Sequence, residues 1–127
     1  MKNTFTKTIY AEEEDEEKKE KAGPDPLAEK FLKTRQILLS GEINEDLAEK
    51  IVRQILILEA DSSDPIYIYI DSPGGDVDAG FAIFDTIRFV NAPVYTVGMG
   101  LVASAAALIL LASPKERRLG FPHSHYL

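Results

Sequence analysis

The sequence predicts an α/β fold with a mainly parallel sheet, and three features carry that prediction. Short apolar runs rich in isoleucine and valine alternate with segments of helical period. The runs end in turns that contain glycine. The resulting order, strand-helix repeated three times, calls for crossover connections, and crossovers set successive strands parallel.

Each element has its own local reason. Gln36 to Leu39 reads as a short buried strand, ended by Ser40-Gly41. Asn44 is placed to cap the next helix, with acids in its first turn. Leu47, Ile51, Ile55 and Leu58 follow at spacings of three and four, so one face is apolar, and Glu49 and Arg53 pair on the wet side. Asp61 to Pro65 is a turn. Ile66 to Ile70 alternates three isoleucines with two tyrosines, the signature of a strand with two unlike faces. Asp71-Ser72-Pro73-Gly74-Gly75 is a tight glycine turn, and Ala79 to Val90 the next helix. A third strand is expected over Val94 to Val97, broken by Gly98 and Gly100, before a helix from Ser104 to Leu111. Arg117 to Phe121 and His125 to Leu127 start further strands.

Composition narrows the function. The 127 residues suffice for one domain with one core. The absence of cysteine excludes a disulfide scaffold, a thiolate zinc site and a cysteine nucleophile. A net charge of -7 repels phosphate backbones, and Arg117-Arg118 beside Lys115 makes no basic patch, so nucleic acid is not an expected partner. Phe89 to Ser113 carries no charge and is long enough to span a membrane. Pro93, Gly98 and Gly100 interrupt it, so buried strand, turn and buried helix are the better reading, with no membrane. No secretory signal is visible in Met1 to Tyr10, so the expected compartment is the cytoplasm.

Two domains of unlike character are expected. Residues 1–26 form an acidic, flexible arm: Ala11 to Lys21 holds seven acids and three lysines, with nothing apolar larger than alanine. Residues 27–127 form the folded α/β part.

Ligands of open α/β sheets gather beyond the carboxyl ends of the strands. Two loops of this chain lie there, Ser72 to Gly75 and Gly98 to Ser104. The first offers backbone N–H groups unobstructed by side chains. The second puts the Ser104 hydroxyl at the start of a buried helix, where the helix dipole favours developing negative charge. A hydroxyl beside backbone donors suits acyl transfer. Pattern alone leaves two readings open, because a serine opening a helix also serves as an N-cap and the chain has no Gly-x-Ser-x-Gly elbow.

From Phe31 to Leu127 the sequence resembles the proteolytic subunit of the ATP-dependent Clp protease family. The matching blocks are Arg35 to Ile43, Ile66 to Gly75, Ala79 to Ile87 and Gly100 to Ser104. The resemblance implies a serine endopeptidase of crotonase-like fold, working in stacked seven-membered rings on unfolded or tagged proteins. Its implied partners are copies of itself or paralogous subunits, and a Clp-family ATPase that alone uses ATP. The chain itself needs no cofactor and no metal. Carried over by position, Ser104 is the nucleophile, the Gly75 and Ala105 N–H groups form the oxyanion hole, and Tyr69 belongs to the ATPase-docking strand.

The chain departs from the family pattern in three places. Leu101, Val102, Ala105 and Ala106 replace the residues usual around the nucleophile, Ala106 adding a methyl group where the family has glycine. The acidic run replaces the family's axial pore segment. The triad histidine is expected two positions past Leu127, the aspartate further on, so the sequence ends before both. His125 falls four residues short of the histidine position, roughly 13 Å in extended chain. A base must approach to about 2.6–3.2 Å. Three readings follow: a C-terminally truncated Clp-type peptidase subunit, inactive as the isolated chain; an inactive structural paralogue in a mixed Clp ring; and, on fold analogy alone, an acyl-CoA enzyme of the crotonase group.

Overall fold

The computed structural model describes residues 25–127, and the compact unit is Phe31–Leu127. The acidic-arm reading therefore lies, Asp25 and Pro26 apart, outside the described residues. The elements run α1 (Pro26–Lys33), β1 (Gln36–Ser40), α2 (Glu45–Asp61), β2 (Ile66–Ser72), α3 (Val77–Phe89), β3 (Val94–Val102), α4 (Ala105–Leu110), a 3-10 turn (Lys115–Arg117), β4 (Arg118–Gly120) and β5 (His125–Tyr126).

The sheet order is β1-β2-β3-β4, all parallel, with β5 also parallel to β3. Strands that add in sequence order all cross over in one direction. With a single handedness of crossover, every connecting helix falls on the same face. That face holds the core: Ile37, Leu39, Ile66, Ile68 and Ile70 from the strands meet Ile51, Ile55, Ile83 and Ile109 from the helices, all at 0–1% exposure. Alternation puts the intervening side chains on the other face. Leu38, Tyr69, Val97 and Leu119 line up there across four strands, and Tyr67 stacks on Tyr95 at 4.7 Å between ring centroids. Leu38 and Leu119 remain 48% exposed. Parallel sheets are usually covered on both faces, so a face whose Val97 is buried while the flanking Leu38 and Leu119 are exposed is distinctive.

Asn44 caps α2 as expected, its Oδ1 accepting the Leu47 N–H at 2.9 Å. Glu49 and Arg53 pair across one turn of α2. Its fully buried stripe is Ala48, Ile51, Ile55 and Leu58, with Leu47 only half-buried. Arg35 ties the far end down, its guanidinium donating to the carbonyls of Leu58, Ser62 and Asp64. That satisfies acceptors a helix terminus leaves over.

Two expected boundaries are corrected. Helix α3 starts at Val77, two residues early, because Asp76 accepts the Ala79 N–H and sets the cap. Strand β3 does not end at Val97 but runs through both glycines to Val102. The Asp71 carboxylate accepts the Leu101 N–H at 3.1 Å and Ser72 pairs with Val102 beyond a register shift, so the second half of the strand finds partners. At Gly98 a Cβ would sit 2.6 Å from the Tyr126 hydroxyl oxygen, so Tyr126 takes the space a side chain would need.

Candidate active site

The extension of β3 brings Ser104 to the end of β2. One bond from Ser72 ties the loops together, its carbonyl accepting the Ala103 N–H, and its buried hydroxyl accepts the Gly74 N–H within its own loop, both at 3.0 Å. Gly74 then packs against the serine itself. A Cβ on Gly74 would lie 2.8 Å from Ser104 Cβ, 2.7 Å from the Ala103 carbonyl oxygen and 3.2 Å from the Ala105 nitrogen. Gly74, which the sequence places in the Ser72–Gly75 loop without singling it out, thus has no room for a side chain against Ser104. The signal was present in the doubled glycine, since one residue would suffice to make the turn.

Gly75 meets a different neighbour. It forms a bridge with Ile43, and a Cβ there would fall 2.2 Å from the Ile43 carbonyl oxygen, on a backbone with φ of +149°. Flanking groups take the available bonds: the Ile43 N–H donates to Gly74 and the Asp76 N–H to Ile43, both at 2.8 Å. The Gly75 N–H itself has no protein acceptor among the described residues. Ala105 opens α4, and its N–H is likewise without an acceptor there. A folded protein pairs nearly all its backbone N–H groups, so two adjacent loops each presenting a free one is informative.

Ser104 is not an N-cap. Its φ of 56° and ψ of -122° lie far from capping geometry, and its hydroxyl makes no capping bond. Left-handed backbone on a non-glycine residue costs about 1–3 kcal/mol and persists only where its surroundings impose it. Here the Ser104 N–H is held by the Leu127 carbonyl at 3.0 Å, and its own carbonyl accepts from Ala107 at 2.9 Å. A strained turn from strand to helix, with an exposed hydroxyl at its apex, is the geometry of a nucleophile elbow. The chain reaches it with Val102 and Ala106 where the usual motif has glycines. Both are fully buried in the core, so the methyl of Ala106 is accommodated. Helix α4 spans only six residues, shorter than expected, so individual N–H groups matter here more than a helix dipole.

The remaining candidates lie apart from this cluster. Tyr69 is half-buried on the sheet face opposite the helices, with its ring 6.4 Å from that of Phe121. His125 sits opposite Leu101 in the β3–β5 ladder, and neither it nor His123 hydrogen-bonds to Ser104. Among the described residues no group of three His, Cys, Asp or Glu side chains is placed to hold a metal ion. No described helix is long and apolar enough to cross a membrane.

Comparison with known proteins places the chain in a family. Residues 18–127 match the family described as Clp protease. The chain is 67% identical over 120 residues to ATP-dependent Clp protease proteolytic subunit 2 of Treponema denticola, covering 93% of this chain and 60% of that protein. It is 57% identical over 97 residues to the subunit of the same name from Borreliella burgdorferi, covering 76% and 49%. Among solved structures, ClpP1 from Listeria monocytogenes superposes with a TM-score of 0.77 at 48% identity, covering 80% of this chain and 59% of that one. The chain therefore spans about half to three fifths of the length of the relatives it matches. It belongs to the Clp protease family, and its parallel sheet with helices on one face is that family's crotonase-like fold.

Proposed function

We propose that this chain supplies the nucleophile and the oxyanion hole of a serine endopeptidase subunit in an ATP-dependent Clp protease. Ser104 attacks the scissile carbonyl, and the N–H groups of Gly75 and Ala105 bind the oxygen that becomes negative. The substrates are unfolded or tagged polypeptides. The subunit works in the cytoplasm in a ring of like or paralogous subunits, and needs no cofactor of its own, ATP being consumed by a Clp-family ATPase. The observation that carries the reading is the Ser104 elbow, with its hydroxyl free, an unpaired N–H on the adjoining Ala105, and another on Gly75, next in sequence to the Gly74 that packs on Ser104. The exposed Leu38 and Leu119 that flank Tyr69 and the buried Val97 support the docking role of Tyr69, because exposed apolar side chains clustered on a sheet face suit a partner.

The test is breakdown of fluorescent casein by this chain extended with the C-terminal part of the Treponema denticola relative, with a Clp-family ATPase and ATP. ATP-dependent release that Ser104→Ala abolishes is the expected result, and undiminished release by that variant overturns the proposal. Tyr69→Ala should lose the ATPase-dependent release while keeping hydrolysis of a short peptide.

A further inference from the structure

At the opposite end of β3 from Ser104, around Val94, a cavity of about 350 Å³ opens among residues from the end of α3, the end of α4 and the 3-10 turn. Three arginines line it, Arg88, Arg117 and Arg118, and no acidic residue does. In sequence, Arg117-Arg118 is an isolated pair; the fold adds Arg88 from 29 positions away.

The three guanidinium groups are not equivalent. Arg118 is anchored, its Nε donating to the Ser113 carbonyl at 2.7 Å and Nη2 to that of Leu111 at 3.4 Å. Arg88 is exposed and lies over the Phe84 ring at 5.7 Å. Arg117 has a buried Nε–H with no acceptor. Among the described residues none of the three forms an ion pair. The carboxylate of Glu59 comes close to the cavity backbone, but it is engaged by the Asn91 and Ala92 N–H groups at 2.8 and 3.0 Å. The Ser113 hydroxyl donates to the Val94 carbonyl.

A buried guanidinium donor without an acceptor is costly, and three like charges facing one space repel each other. An anion in that space relieves both. We propose that the cavity is an anion-binding site for one oxyanion group, a phosphate or a carboxylate, received by Arg117 Nε and by Arg88. Apolar neighbours such as Ile87, Val90 and Val94 lower the local dielectric and strengthen the pairing. The site is independent of whether Ser104 acts as a nucleophile.

The test is thermal unfolding of the 127-residue chain in inorganic phosphate, in succinate and in sodium chloride, at equal ionic strength. At least one of the two oxyanions should raise the midpoint above chloride, and the one whose shift falls in the arginine variants identifies the ligand class, since phosphate also stabilises by exclusion. Arg117→Met should weaken that anion's binding by about tenfold or more, as loss of a charge-assisted bond requires. Arg88→Met, at an exposed position, should reduce the shift without loss of fold and carries the test if the Arg117 variant does not fold. Arg53→Met, on the far side of α2, should keep the full shift. No shift beyond chloride with either oxyanion overturns the proposal, as does a full shift retained in Arg88→Met and in any folded Arg117→Met.

Discussion

Asn44 and Ser104 both precede a helix, and they use their side chains in opposite ways. Asn44 holds an extended backbone, φ of -137°, and its Oδ1 accepts the Leu47 N–H. Ser104 holds a left-handed backbone, φ of 56°, and its hydroxyl bonds to nothing in its helix. At Asn44 the side chain satisfies an orphan N–H and lowers the free energy of the fold. At Ser104 the hydroxyl and the Ala105 N–H are both left open on a strained turn. A side chain left open on a strained turn fits a group that must stay accessible, which a cap need not do.

The largest effect expected of a single substitution is at the glycine bridged to Ile43. Gly75→Ala would drive a methyl into the Ile43 carbonyl on a backbone that L side chains rarely adopt. Urea unfolding should show a loss of about 2 kcal/mol or more. A near-neutral result would mean that the Ile43–Gly75 bridge is not fixed, and the Gly75 N–H would then not be held in place.

Capping gives the next effect. Asn44→Ala and Asp76→Ala should each cost about 1 kcal/mol, since each removes an acceptor from a helix N–H. Ser104→Ala should change stability by less than about 0.5 kcal/mol. A loss at Ser104 as large as at Asn44 would restore the cap reading.

The smallest effect depends on pH. Glu59 also spends its carboxylate on backbone N–H groups, those of Asn91 and Ala92, and these hold its pKa below the ordinary 4.5. Its contribution is complete above that value and is lost as pH falls through the lowered one. The stability difference between the wild type and Glu59→Gln should therefore be constant above pH 4.5 and shrink below it. A difference that grows on acidification would contradict the assignment.

Much of the fold is legible in the sequence because local pattern and tertiary packing agree. The isoleucines of β2 alternate, and all three are buried; Asn44 has the residue type and the following acids of a cap, and is one. The misread part is β3, where local signals point the wrong way. Gly98 and Gly100 break strands by propensity, yet Asp71, 30 positions away, bonds Leu101 and keeps the strand going. The elbow at Ser104 was hidden for the same reason. No glycines flank it, and its backbone is imposed by Ser72, Gly74 and Leu127, none of them near in sequence except through the fold. Arg88 joins Arg117 and Arg118 only once α3 has packed.

The proposal that Ser104 is a nucleophile beside oxyanion donors, with no base bonded to it among the described residues, has one direct test. The direct measurement is the rate of fluorophosphonate labelling, by mass spectrometry, of the 127-residue chain and of the same chain extended with the C-terminal part of its Treponema denticola relative. Without a base the hydroxyl stays protonated and reacts slowly. The extended chain should label at Ser104 at least about 10³-fold faster, as loss of a triad base requires. Equal rates at Ser104, or rapid labelling at any other residue, would contradict the account.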